Sequence, residues 1–172
     1  MNWKRVALLL FLAPAMGFAQ DGPTDAQIAG IVVTANQIDI DAGKLAKTQS
    51  ANKAVQAFAQ QMITDHSAVN KQAAALAKKL GVTPQESDSA KSLRQAAADT
   101  RKKLKALKGA QFDWAYVDNE VAYHQQVLDA IDKVLIPSAQ NAELKGLITK
   151  VRPAIAAHLE HAKHLQASLA KK

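Results

Sequence analysis

His66, His124 and His158 are the residues of this chain whose type and spacing promise chemistry. Neutral imidazole is a ligand for transition metals, and these three fall on apolar stripes with helical spacing. His66 follows Met62 by four residues and precedes Val69 by three; His124 is seven from both Val117 and Ile131; His158 is seven from Val151 and three from Ile155. The spacing therefore aims three rings inward, each from a different helix. The stretch AAHLEHAKHLQ, residues 156–166, adds His161 and His164. His161 lies one step round the helix from His158, and His164 drifts a further ~60° toward solvent.

Depth along a bundle can be counted at ~1.5 Å per residue. Measured from the ends of their helices, His66 and His124 come out nearly level, with His158 and Asp39 level with Glu120, one turn away. One polar layer could collect Asp39, Asp65, His66, Glu120, His124, His158 and His161 from four helices. Such a set suits Zn, Fe, Mn, Ni or Cu(II). Asp65 reads better as a partner that orients a histidine than as a ligand. Met62 reads as core, not as the axial ligand of a non-covalent haem. Trp114, Tyr116 and Tyr123 read as packing. The competing reading is a buried hydrogen-bonded network without metal, in a helical interaction module whose exposed Lys and Gln faces meet a partner.

Elements that could carry this layer follow from the pattern. Ala, Leu, Lys and Gln dominate, with seven Gly and five Pro, and no stretch alternates with period two, so the chain reads as all-α. Thr24 with Gln27 forms a capping box for a helix over about 25–47. Ser50 or Asn52 caps a second, ending at Gly81 and Pro84. A shorter, more charged helix over about 89–107 should lie across the outside. A fourth runs over about 111–136, where Pro137 should stop it, and Asn141 caps the last. Pro153 should free the carbonyl of Thr149 and bend that helix before its histidines. The order long, long, short, long, long predicts a ferritin-like four-helix bundle with an additional short crossover helix.

The first nineteen residues read as something else. MNWKR is basic, VALLLFLAPAMGF is apolar, and Gly17 with Ala19 suits cleavage, so residues 1–19 are expected to be a signal peptide. The apolar run falls short of the ~20 residues of a membrane span. A linker at 20–23 would then precede a bundle domain at 24–170, exported to the periplasm or secreted. There is no cysteine, which excludes disulfides, thiolate sites and thiol nucleophiles. Loss of the leader removes Lys4 and Arg5 and no acid, taking the formal charge from +7 to +5. The cluster RKKLK at 101–105 has no interleaved aromatics, so nucleic acid is not expected, whereas weak attraction to an anionic envelope surface is.

FAQQMITDHSAVNKQAAALAKKLG, VAYHQQVL and PAIAAHLEHAKHL together resemble the exported bacterial family called domain of unknown function 4142, over about Thr24 to Leu169. The resemblance implies a ferritin-like helical fold, an envelope location and no assigned reaction. Ferritin-like di-iron proteins use Glu-x-x-His from two helices. Here the residues three before His66, His124 and His158 are Ile63, Val121 and Ile155, which argues against ferroxidase chemistry. No Ser/His/Asp spacing or Gly-rich phosphate loop supports another enzyme. The sequence reading is thus an exported bundle with no assigned catalysis and a divalent-metal site at His66, His124 and His158, completed by Glu120 or Asp39.

Overall fold

The computed structural model describes residues 22–170; the leader expected at 1–19 and the first linker residues lie outside them. Four long helices and one shorter one account for most of these residues, and no strand occurs among them. Helix α1 spans Asp25–Gln49, opened by the expected capping box of Thr24 and Gln27. Three residues later α2 spans Lys53–Leu80, capped by the Asn52 side chain. Ser50, the other cap candidate, instead hydrogen-bonds the buried Asp113 carboxylate. Gly81 ends α2 at φ 64°, a left-handed value that only glycine adopts without cost.

Helix α3 spans Asp88–Ala106 under a Ser87 cap, and α4 spans Gly109–Ala130. Pro137 does not stop the chain at Ile136 as expected. A π-helical turn at Ile131–Leu135 leads into a last turn, α5, at Ile136–Ser138. A proline ring collides with the carbonyl four residues back in an α-helix, and one extra residue in the preceding turn moves that carbonyl aside. Helix α6, Ala142–Leu169, begins at the Asn141 cap and runs unbroken through Pro153. Thr149, whose carbonyl the proline leaves without its helical donor, is exposed, so water can replace the lost bond.

Helices α1 and α2 form one antiparallel pair, and α4 and α6 the other. Helix α3 links the pairs and lies along the outside of α1, as expected of the short charged element. Gln85 N donates to Ala26 O at 2.8 Å, Arg101 meets Asp41 at 2.6 Å, and the Gln49 amide donates to the carbonyls of Leu104 and Leu107. Those contacts fix α3 parallel to α1. The pairing is compatible with a ferritin-like bundle. No described helix is long and apolar enough to cross a membrane.

Two apolar cores fill the interior, one toward each end. Val55, Phe58, Met62, Phe112, Tyr116 and Leu165 anchor the first. Ile28, Ile31, Leu128, Ile131, Ile148 and Leu159 anchor the second. Between them lies a layer that is not apolar.

Candidate metal centre

Each helix reaches that middle layer by the same periodicity that builds the cores. On α2 the buried run Val55, Phe58, Ala59, Met62 arrives at His66 in steps of one, three and four. On α4 Phe112, Tyr116, Glu120, His124 and Leu128 follow one another at four. On α6 Ile155, His158, Ala162 and Leu165 continue one stripe, and on α1 Asn36, Asp39 and Ala42 do so at three. The layer is thus a break in hydrophobicity, not in helical spacing.

The three rings meet. Centroid separations are 5.7 Å for His66 and His124, 5.3 Å for His66 and His158, and 5.5 Å for His124 and His158. All three residues are at most 3% exposed. One nitrogen from each lies within 4.8 Å of the other two, close enough to share a cation.

Every ring also has one nitrogen already committed outside the cluster. His66 Nδ1 lies 2.7 Å from Asn36 Oδ1, and the Asn36 amide nitrogen in turn donates to Val32 O at 2.8 Å. His124 Nδ1 lies 2.9 Å from the Glu120 carbonyl oxygen, and His158 Nε2 lies 2.9 Å from Asp65 Oδ2. All three partners are acceptors, so those ring nitrogens carry the hydrogens. The remaining nitrogens, His66 Nε2, His124 Nε2 and His158 Nδ1, are buried without a hydrogen-bond partner. Three lone pairs are left over, oriented by outer partners in the way that metal-ligating histidines are.

Asp39 and Glu120 flank the rings. With His124 they form a second group whose candidate atoms lie within 4.8 Å of one another. Asp39 Oδ2 is 3.4 Å from His66 Nε2, and Glu120 Oε2 is 3.5 Å from His124 Nδ1. Burial pushes the Asp39 carboxyl up to about 7. Burial, and then the neighbouring Asp39, holds Glu120 well above the usual carboxylate range. Burial acts in the opposite sense on the bases: it lowers His66 to about 3, helped by repulsion from His124 and His158, and His124 to about 4. His158 also moves down by burial, against the pull of Asp65. The layer therefore holds neutral imidazoles beside carboxyl groups that keep a proton.

A donor count follows. The unpartnered atoms here are three imidazole nitrogens, Asp39 Oδ1, both Glu120 carboxyl oxygens and the Tyr116 hydroxyl. Only that hydroxyl and the carboxyl protons can donate. Buried acceptors outnumber buried donors, and in folded proteins buried polar atoms are almost always satisfied. A bound cation is one way to satisfy that excess of acceptors.

Of the residues singled out in the sequence, His66, His124 and His158 come together, and Asp39 and Glu120 join them from α1 and α4. Asp65 stands outside the rings and orients His158, the role that suited it better. His161 does not reach the layer: it is exposed, its Nδ1 is 3.0 Å from Gln61 Oε1, and its ring stands edge-on to Phe58. The helical step from His158 that left it at the edge of the stripe carries it out to the surface. His164 is exposed as expected. Trp114 is 42% exposed and not core packing.

Sequence reasoning missed Asn36 and Tyr116 as members of the site. Asn36 sits three residues before Asp39, a spacing that shares its face; an amide flanked by Ala35 and Gln37 gives no other signal. Tyr116 reads as an ordinary core aromatic, and only the fold puts its hydroxyl beside Glu120, whose charge helps burial raise the phenol well above its usual value.

No curated protein and no solved structure matches the chain. A family model described as domain of unknown function (DUF4142) matches residues 13–165, which takes in every residue of the polar layer and nearly all of the helical fold around it. The chain belongs to the DUF4142 family.

Proposed function

We propose that this protein is an exported helical bundle that binds a divalent transition metal through His66, His124 and His158. The observation that carries the reading is the leftover lone pair on each of three buried imidazoles whose other nitrogen is already committed. Nitrogen donors of this kind suit Zn, Cu(II), Ni or Fe(II) and not Ca or Mg, which take oxygen. Asp39 and Glu120 stand next to the rings as the nearest further ligands and as proton holders. Export rests on the leader-like residues 1–19.

What this chain's residues would do is bind, orient and exclude. Asn36, the Glu120 carbonyl and Asp65 hold the tautomers; the two apolar cores keep bulk water away from both ends of the layer. A bound metal would act there as a Lewis acid.

Elemental analysis of protein purified without an affinity tag tests the proposal, beside the His66→Ala/His124→Ala double variant. Near-stoichiometric metal in the first and a loss of it in the second is expected. Equal and negligible metal in both, after incubation with Zn²⁺, would overturn it and leave the histidines as a hydrogen-bonded network.

A further inference from the structure

Helix α3 does not sit flush on the bundle. Only Ala90 and Leu104 of its residues are buried, one near each end, and both ends are tied to α1 by hydrogen bonds or by the Arg101–Asp41 pair. The residues between that face α1 and α4 are small or half-buried: Leu93, Ala96, Ala97 and Thr100. They leave a cleft of about 750 Å³ beneath the helix. That volume is in the range of ligand pockets, and protein interiors otherwise leave few voids larger than a water molecule.

The cleft is long and apolar. From Asp88 to Leu104 it follows α3 for roughly 24 Å at the helical rise. Ile31, Val32 and Ile38 line it from α1, Val127 from α4, and Ile131 and Val134 from the π-helical turn that follows. Val134 is 41% exposed, an unusual degree for a large aliphatic side chain in this fold. Asn36, Asp39 and His66 reach its wall. The Asn36 amide is spent on His66 and Val32, and the Asp39 carboxyl and the His66 ring interrupt the apolar lining there, as Asn119, Tyr123 and Gln126 do from α4.

Charge marks one end. Arg101 borders both this cleft and a neighbouring surface hollow formed with Lys44, Lys102 and Lys105. The three lysines are exposed, and Asp41 is the single acid of that hollow. Asp88 stands at the opposite end of the cleft. Arg101, paired with Asp41, thus joins one end of the slot to a hollow that carries three exposed lysines, while an acid stands at the other end, and the surroundings of the slot are polarised along its length.

We infer that the cleft beneath α3 binds a single-chain amphiphile with an anionic head, such as a long-chain carboxylate, with its chain between α3, α1 and α4 and its head at Lys44, Arg101, Lys102 and Lys105. The length of the slot, with small side chains such as Ala96 and Ala97 along it, suits an extended chain better than a compact ligand. The cleft shares Asp39 and His66 with the metal layer, but the proposed chain and head contacts lie along α3 and at its basic end and require no bound metal.

Dodecanoate is the probe, titrated calorimetrically into the full exported chain with and without EDTA. One dodecanoate per chain is expected, unchanged by EDTA. Ala97→Phe should fill the slot and remove binding. Lys102→Glu/Lys105→Glu, on exposed positions that leave the fold alone, should weaken dodecanoate by about tenfold or more. Dodecyltrimethylammonium, with the same chain and the opposite head, should bind the wild type more weakly than dodecanoate and gain in the double variant. Absence of saturable binding overturns the inference, as does dodecanoate binding that ignores either the charge reversal or a folded Ala97→Phe. Vesicles of phosphatidylglycerol supply the anionic head on a membrane instead. Sedimentation with them while free dodecanoate does not bind would assign the basic end to a lipid surface and overturn the slot.

Discussion

Zn²⁺ binding measured against pH probes the metal layer most directly. A ligand that binds only the folded chain raises stability by about 2.7 kcal/mol at a hundredfold excess over its Kd. For a domain of this size, each kcal/mol moves Tm by about 2–4 °C, so an upward shift of about 5–11 °C at pH 7.5 is expected. Acid should do little to it. Histidines titrating at their ordinary value of 6.5 would each lose about tenfold in availability at pH 5.5, and three of them about a thousandfold, or about 4 kcal/mol, enough to erase the shift. Here burial holds His66 near 3 and His124 near 4, so protons do not compete for those two rings at pH 5.5, and burial moves His158 in the same direction. The histidines' own contribution to the stability of the metal-free protein is lost as pH falls below 6.5. Its unfolded histidines take up protons that the buried ones refuse, so stability present above 6.5 is lost toward the lower folded values. The comparison is therefore Zn²⁺ against EDTA at each pH, followed by differential scanning fluorimetry. A shift present at pH 7.5 and gone at pH 5.5 would mean that exposed histidines bind the ion, and the buried layer would be refuted as the site.

Other perturbations isolate single residues. In metal-free protein Asp39→Asn should stabilise at pH 8: an acid moved from 3.8 to about 7 favours folding only while protonated, that advantage fades as pH rises through 7, and the difference amounts to roughly 4 kcal/mol. Urea melts at pH 8 and pH 4 check it, with the gap closing at the lower pH. Asn36→Ala should weaken metal affinity by about 10–100-fold by releasing the His66 ring, whereas His161→Ala, at the surface, should leave metal content unchanged. Competition with a chromogenic chelator reads both. Gly30→Ala would put a methyl 1.9 Å from Gln85 O and should break the Gln85–Ala26 hydrogen bond, costing about 1–3 kcal/mol. Gly146→Ala meets nothing within 4 Å on an exposed helical face and should gain about 0.5–1 kcal/mol; thermal melts of the pair give opposite signs.

Helix boundaries came close to the coordinates because caps are local chemistry. Thr24 with Gln27, Asn52, Gly81 and Asn141 each act within a turn of themselves, and each marks the end that its residue type implies. Ser50 shows the limit of local reading. It resembles a cap, yet its hydroxyl serves Asp113, 63 residues away. Pro137 and Pro153 show another: what a proline does depends on whether the neighbouring turn can widen or the freed carbonyl can reach water.

Sequence alone determined that this chain is all-α and that His66, His124 and His158 face inward, because a 3.6-residue period converts spacing into direction. It could not determine that the three rings meet, or that each spends one nitrogen on Asn36, on the Glu120 carbonyl or on Asp65. Those facts depend on the axial offset between helices that are far apart in the chain, and that offset is set by how Met62, Tyr116, Leu128 and Ile155 pack in the two cores. The cleft under α3 belongs wholly to the tertiary level. A stripe of small residues says that a helix can approach its neighbours, and only the ties at its two ends hold it at the distance where a slot remains.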